Sequence, residues 1–121
     1  MTPLETVHAF MAAAALRDYD AAMALLADDV EYQNMPLPPV HGHAAVRETL
    51  EALLAMCAGS EWIVHRELAD GPLVMNERTD RFLLKGEWVD LPVAGVFEVH
   101  DGRITLWRDY FDLPTIMNKM L

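Results

Sequence analysis

A chain of 121 residues, 53% of them hydrophobic, is the size of one compact domain spanning 1–121, with apolar material for a core and some to spare for a lined cavity or an oligomer interface. The formal net charge of −10 argues against nucleic acid or an anionic membrane as a partner, and a single cysteine, Cys57, cannot form an internal disulfide. No apolar run is long enough to span a bilayer and Met-Thr-Pro-Leu-Glu lacks the features of a signal sequence, so a cytoplasmic setting without membrane contact is expected.

Thr2-Pro3-Leu4-Glu5 opens a helix with an N-cap threonine, proline at the first helical position and glutamate three residues after the cap. Leu4, Val7, Phe10, Met11 and Ala14 continue it at helical spacing. Asp18-Tyr19-Asp20 breaks the pattern and caps a second short helix through about Leu26. Asp28 and Asp29 read as capping or solvated charge before a strand, Val30 to Asn34, with Val30, Tyr32 and Asn34 on one face. The three prolines of Met35-Pro36-Leu37-Pro38-Pro39 forbid helix and central strand, leaving a rigid apolar loop suited to the rim of a pocket.

A third helix starts at Gly42-His43 and ends near Gly59, with Val46, Leu50, Leu53 and Leu54 as its buried stripe. Four strands follow: Trp62 to Leu68, Leu73 to Leu84, Trp88 to Val99 with an irregular stretch at Pro92, and Ile104 to Phe111. Asp70-Gly71 and Asp101-Gly102 mark tight turns, as does Lys85-Gly86 between the middle pair. Asp112 and Pro114 begin a short closing helix carrying Ile116 and Met117. Helices set before a run of strands predict an α+β fold, a curved mixed or antiparallel sheet closed into a cone by about three N-terminal helices and a short C-terminal one. A cone of this kind has room for a small molecule.

The strand from Leu73 to Leu84 carries the chemistry. Val74, Asn76, Arg78, Asp80, Phe82 and Leu84 share one side of it, apolar at both ends and ionic in the middle. Trp107, Asp109 and Phe111 repeat the pattern on the last strand, while Glu77, Arg81 and Arg108 fall on the opposite faces. Charges on a core-facing strand are costly to bury unless paired, so Arg78, Asp80 and Asp109 are expected to meet inside one pocket. Two carboxyls at short range around one guanidinium tend to retain one proton, which leaves the trio formally neutral and supplies an acid and a base together. Tyr32 and Asn34 can orient a water beside them, a set that suits water addition to a strained neutral electrophile. Trp107, Phe82, Val74, Leu84, Met35 and Leu37 are the candidate substrate-lining residues.

Tyr32-Gln33-Asn34-Met35-Pro36-Leu37-Pro38-Pro39, Glu77-Arg78-Thr79-Asp80 and Trp107-Arg108-Asp109-Tyr110-Phe111-Asp112-Leu113 resemble the limonene-1,2-epoxide hydrolase family, and Gly95-Val96-Phe97 fits as well. The resemblance runs from about Asp20 to Leu113, in matching order and spacing. It implies a cone-shaped α+β fold of the nuclear-transport-factor-2 and SnoaL type, a homodimer, and no metal or cofactor. By the same resemblance Asp109 is the general base, Asp80 the general acid, Arg78 the bridge between them, and Tyr32 and Asn34 the groups that hold the water. The substrate is then a small apolar epoxide, cyclic or terpene-like, opened by water to a vicinal diol. The chain departs from some members in lacking their N-terminal extension and in stopping soon after Leu113.

Two other readings use the same cone. A ketosteroid-isomerase-like or polyketide-cyclase-like enzyme would need one aspartate and no arginine bridging two carboxyls, and a non-catalytic binder would need none of the set. His41-Gly42-His43 is half of a metal site without further ligands, and no metal is expected there. Cys57 lies on an apolar helical stretch, where a buried inert thiol is expected.

Overall fold

The computed structural model of the chain describes residues 1–120; Leu121, the last residue of the domain expected over 1–121, lies outside them. Four helices and six strands follow in the order α1 (Pro3–Ala15), α2 (Tyr19–Ala24), β1 (Leu26–Asn34), β2 (Val40–His41), α3 (His43–Ala55), β3 (Gly59–Asp70), β4 (Leu73–Leu84), β5 (Glu87–His100), β6 (Arg103–Tyr110) and α4 (Leu113–Met120). The strands form one sheet in the order β2-β1-β6-β5-β4-β3. All neighbours are antiparallel except β1 and β6, which run parallel, so the sheet is mixed. No described helix is long and apolar enough to cross a membrane.

The helix starts follow their caps. Thr2 Oγ1 accepts from the Glu5 amide at 3.1 Å while Glu5 Oε1 accepts from the Thr2 amide at 2.9 Å, a reciprocal capping box. Asp18 Oδ1 accepts from the Ala21 amide and begins α2, which ends at Ala24, because Leu26 is taken into β1. Asp112 Oδ2 accepts from the amide and hydroxyl of Thr115 and begins α4. Asp28 and Asp29 do not cap a helix; both lie exposed within β1. α3 stops at Ala55, and Gly59 already belongs to β3.

Val7, Phe10, Met11 and Ala14 face inward from α1, four positions at the three- and four-residue intervals that make a helical stripe. Val7, Phe10 and Met11 join Leu26, Val30, Tyr32, Phe97 and Trp107 in the larger of two core clusters. The second cluster gathers Leu54, Phe82, Leu91, Val93 and Ile116 nearer the end where α3 and α4 meet the sheet. Burial along β4 alternates for its full length, with Val74, Asn76, Arg78, Asp80, Phe82 and Leu84 all inward. The irregularity expected at Pro92 is absent: β5 stays in register with β4 from Leu73↔Glu98 to Leu84↔Glu87. Pro92 lies beyond the last β5–β6 pair, Ala94↔Tyr110, so its missing N–H falls where β5 has only β4 beside it.

Candidate active site

Arg78 stands at the centre of the inner face with its side chain 1% exposed. Its guanidinium makes a two-pronged contact with Asp80, Nε to Oδ1 and Nη2 to Oδ2, both at 3.0 Å. The same Nη2 donates to Asp109 Oδ2 at 2.8 Å, and Nη1 donates to Asn76 Oδ1 at 3.0 Å. One cation therefore holds both carboxyls, as the alternation along the two strands predicts. Side-chain exposure is 8% for Asp80 and 7% for Asp109, so neither opens to bulk water.

The strand ladder brings these groups together. Asn76 and Asp109 both pair with Gly95, from β4 and β6 on either side of β5. A Cβ at Gly95 would collide with Arg78 Nη1 and lie 2.7 Å from Asn76 Oδ1 and 3.1 Å from Asp109 Oδ1. Glycine there is a spatial requirement of the buried guanidinium. On the other flank the parallel register sets Tyr32 beside Trp107 and Asn34 beside Asp109. The Met35 amide ties the end of β1 to the Asp109 carbonyl at 2.9 Å.

Trp107 has two roles in packing this end. Its indole Nε1 donates to Asp109 Oδ1 at 2.8 Å, so each oxygen of that carboxyl accepts from a different donor. Its ring stacks on Tyr32 with centroids 4.1 Å apart and 18° between planes, and meets Phe10 edge-on at 5.0 Å. These contacts fix the indole and, through it, the carboxyl. The Tyr32 hydroxyl donates to Asn34 Oδ1 at 3.1 Å.

Electrostatics separates the members of the set. Burial pushes the Asp80 carboxyl above the usual carboxylate range even though Arg78 acts in the opposite direction. Burial alone would lower Arg78, but Asp109 and Asp80 outweigh it and the guanidinium stays firmly charged. Burial, reinforced by Asp109, raises the Tyr32 hydroxyl well above its ordinary value, so it remains a neutral donor.

A cavity of about 230 Å³ opens directly onto this set. Asp80, Asp109, Tyr32, Asn34 and Trp107 line its polar end, with Phe82 and Leu37 among the apolar walls. Arg78 is not part of the lining, since it lies beneath the carboxyls it holds. Three of the predicted lining residues stand elsewhere. Val74 is packed in the larger core cluster, at the level of its partner Phe97. Leu84 sits at the far end of β4, in the second core cluster. Met35 lies in the turn after β1 and does not reach the cavity. Sharing a strand face does not suffice, because β4 is longer than the cavity it crosses.

The remaining walls come from Leu50, Leu53 and Met56 on one side, Leu113, Ile116 and Met117 on another, and Trp62, Leu91 and Val93 on the sheet. Sequence reasoning missed most of these as lining, because helical periodicity marks what is inward without saying whether it meets core or hollow. Asn76 was on the correct face, yet its bond to Arg78 gave no separate signal in the sequence. Among the described residues no group of three or more His, Cys, Asp or Glu is gathered to hold a metal.

A family model described as the limonene-1,2-epoxide hydrolase catalytic domain matches residues 1–121. The chain is 40% identical over 115 residues to epoxide hydrolase EphG of Mycobacterium tuberculosis, covering 95% of this chain and 76% of that one. It superposes with a TM-score of 0.84 and 38% identity on the structure of an M. tuberculosis epoxide hydrolase of the same type, covering 98% of this chain and 88% of the other. A putative polyketide cyclase from Pseudomonas putida KT2440 shares the fold, with a TM-score of 0.81 at 24% identity over 100% of this chain and 99% of its own. A match along the entire length, joined to that degree of identity with an epoxide hydrolase, shows that the chain belongs to the limonene-1,2-epoxide hydrolase family.

Proposed function

We propose that this epoxide hydrolase opens a small, largely apolar epoxide in a single step, with Asp109 as general base and Asp80 as general acid. The observation that carries the proposal is the Arg78 guanidinium, which binds both carboxyls at the polar end of an otherwise apolar cavity. Asp109 is held by two separate donors, Arg78 and the Trp107 indole, and lines the cavity beside Asn34, which orients its carboxyl as a base for a water there. Asp80, raised by burial, is suited to keep the proton that the departing oxygen needs. Tyr32 donates to Asn34, which leaves the hydroxyl lone pairs and the Asn34 amide donors to orient a water between β1 and Asp109.

In the reaction, a water oxygen bonds to one oxirane carbon as Asp109 takes a proton from it. The C–O bond at that carbon breaks, and the departing oxygen takes the proton of Asp80. The product is a vicinal diol inverted at the attacked carbon. Return of one proton from Asp109 to Asp80 restores the starting state. Every part of this chemistry is supplied by the side chains named, so no metal or cofactor is included in the proposal.

The outer face of the sheet supports a homodimer as part of the same reading. Ile63, Met75, Trp88 and Tyr110 point away from the helices and are 41%, 44%, 42% and 44% exposed. A cytoplasmic setting, where the lone Cys57 stays reduced, completes it.

The test is single turnover in heavy-oxygen water with limonene oxide, cyclohexene oxide and styrene oxide, with diol stereochemistry recorded. The label is expected in the diol from the first turnover. Label appearing first in an aspartate carboxyl would mean an ester intermediate and overturn the one-step mechanism.

A further inference from the structure

The reaction above gives a part to each side chain bound to Arg78 except Asn76. Asn76 stands on β4 one inward place before Arg78 and is 5% exposed. It does not line the cavity, so neither the epoxide nor the attacking water meets it. Its Oδ1 accepts from Arg78 Nη1 at 3.0 Å, and its Nδ2 donates to Met11 Sδ of α1 at 3.6 Å. A thioether is a weak acceptor and a guanidinium a charged donor, so the bond to Arg78 is the one that fixes the amide.

A guanidinium is planar, and here every nitrogen of it has an acceptor. Nε and Nη2 face Asp80, Nη2 also reaches Asp109, and Nη1 has Asn76. The carboxyls take one edge of the fork and the amide takes the remaining corner, so the plane cannot tilt without breaking a bond. Gly95 keeps that corner open, since a Cβ there would lie 2.7 Å from Asn76 Oδ1. The amide also carries no charge. With one proton on the two carboxyls, Arg78, Asp80 and Asp109 are formally neutral. A third carboxylate would leave the buried group negative or draw in a second proton, and an apolar side chain would leave Nη1 buried and bare. The other charged groups nearby are engaged with each other: Glu67, the β3 partner of Asn76, holds His8 of α1 at 2.7 Å.

We infer that Asn76 is a positioning residue for ring opening: as an uncharged third acceptor, it holds the Arg78 guanidinium edge-on to Asp80 and within reach of Asp109. This rests on the one-step reaction proposed above. Asn76 touches no reacting atom and acts only through Arg78, whose full charge it leaves to the two carboxyls.

Asn76→Leu and Asn76→Asp, each close to asparagine in size, separate the acceptor from its neutrality. Values of kcat and KM and the pH–kcat profile are measured with whichever of limonene oxide, cyclohexene oxide and styrene oxide the wild-type protein opens fastest. Asn76→Leu is expected to lower kcat about tenfold or more across the pH range, with KM within about twofold of wild type. Asn76→Asp keeps the acceptor, so at its own optimum its kcat should exceed that of Asn76→Leu. Its alkaline limb should lie at higher pH than in the wild-type protein, because an added negative charge makes a neighbouring carboxyl hold its proton more tightly. A wild-type kcat in Asn76→Leu, or an alkaline limb unmoved in Asn76→Asp, overturns the inference and leaves the proposed function standing. No diol from the wild-type protein with any of the three epoxides removes the proposed function and this inference with it. One readout does not depend on a variant's folding. In the wild-type protein the side-chain carbonyl carbon resonance of Asn76 should titrate with the midpoint of the alkaline limb, since Arg78 transmits the loss of the Asp80 proton to it. A resonance that stays flat across that limb overturns the assignment.

Discussion

Asp80 and Asp109 are the same residue type held by one guanidinium, and their surroundings set them apart. Both oxygens of Asp80 accept from Arg78 alone, whereas Asp109 divides its oxygens between Arg78 and Trp107. In the mechanism proposed above the working form of Asp80 is the protonated one, which burial favours and which is lost as pH climbs. The rate of ring opening should therefore fall on the alkaline side, with the limb displaced above the ordinary carboxylate range. A pH–kcat profile checks this, and the limb should vanish in Asp80→Asn along with about 100-fold or more of the activity. The same shift has a stability counterpart. A carboxyl raised in the native state favours folding at acid pH, and that contribution is lost as pH rises through the folded value. That Arg78 and Asp80 point inward was legible from two-residue alternation alone. Which aspartate is acid and which is base was not, since it depends on partners from another strand. The resemblance carried that assignment.

Among the elements, β5 shows what one position can demand. It carries no charged member of the set, but Gly95 leaves the space into which Arg78 Nη1 projects. Gly95→Ala should displace the guanidinium, leave buried charge poorly matched, and destabilise the fold by roughly 3 kcal/mol. Denaturant unfolding measures the loss, and activity should fall with it, because Asp80 and Asp109 lose their common partner. The capped starts of α1, α2 and α4 were legible, since capping is a matter of residues three apart. The two-residue β2 was not, because Val40–His41 is too short to show a period. Pairing of β1 with β6 was equally hidden, as nothing near Tyr32 announces a partner 75 residues later at Trp107.

At the scale of the whole molecule, the fold has two unlike faces. The inner face carries α1 on its core and the cavity beneath α3 and α4, and the outer face presents Ile63, Met75, Trp88 and Tyr110. Sedimentation equilibrium should give about twice the chain mass, and Met75→Lys should shift the protein toward the monomer while leaving the inner face intact. The α+β class and the cone were readable from the order of helices and strands. The cavity's boundary was not, since it is made where α3 and α4 meet the sheet, far apart along the chain. The parallel ladder between β1 and β6 has one more consequence. A single-residue insertion or deletion inside either strand would rotate Tyr32 and Asn34, or Trp107 and Asp109, to the wrong side together. Changes in substrate range are therefore expected from point substitutions at wall positions such as Leu37 and Met117, while the paired strands that carry the reacting groups keep their length.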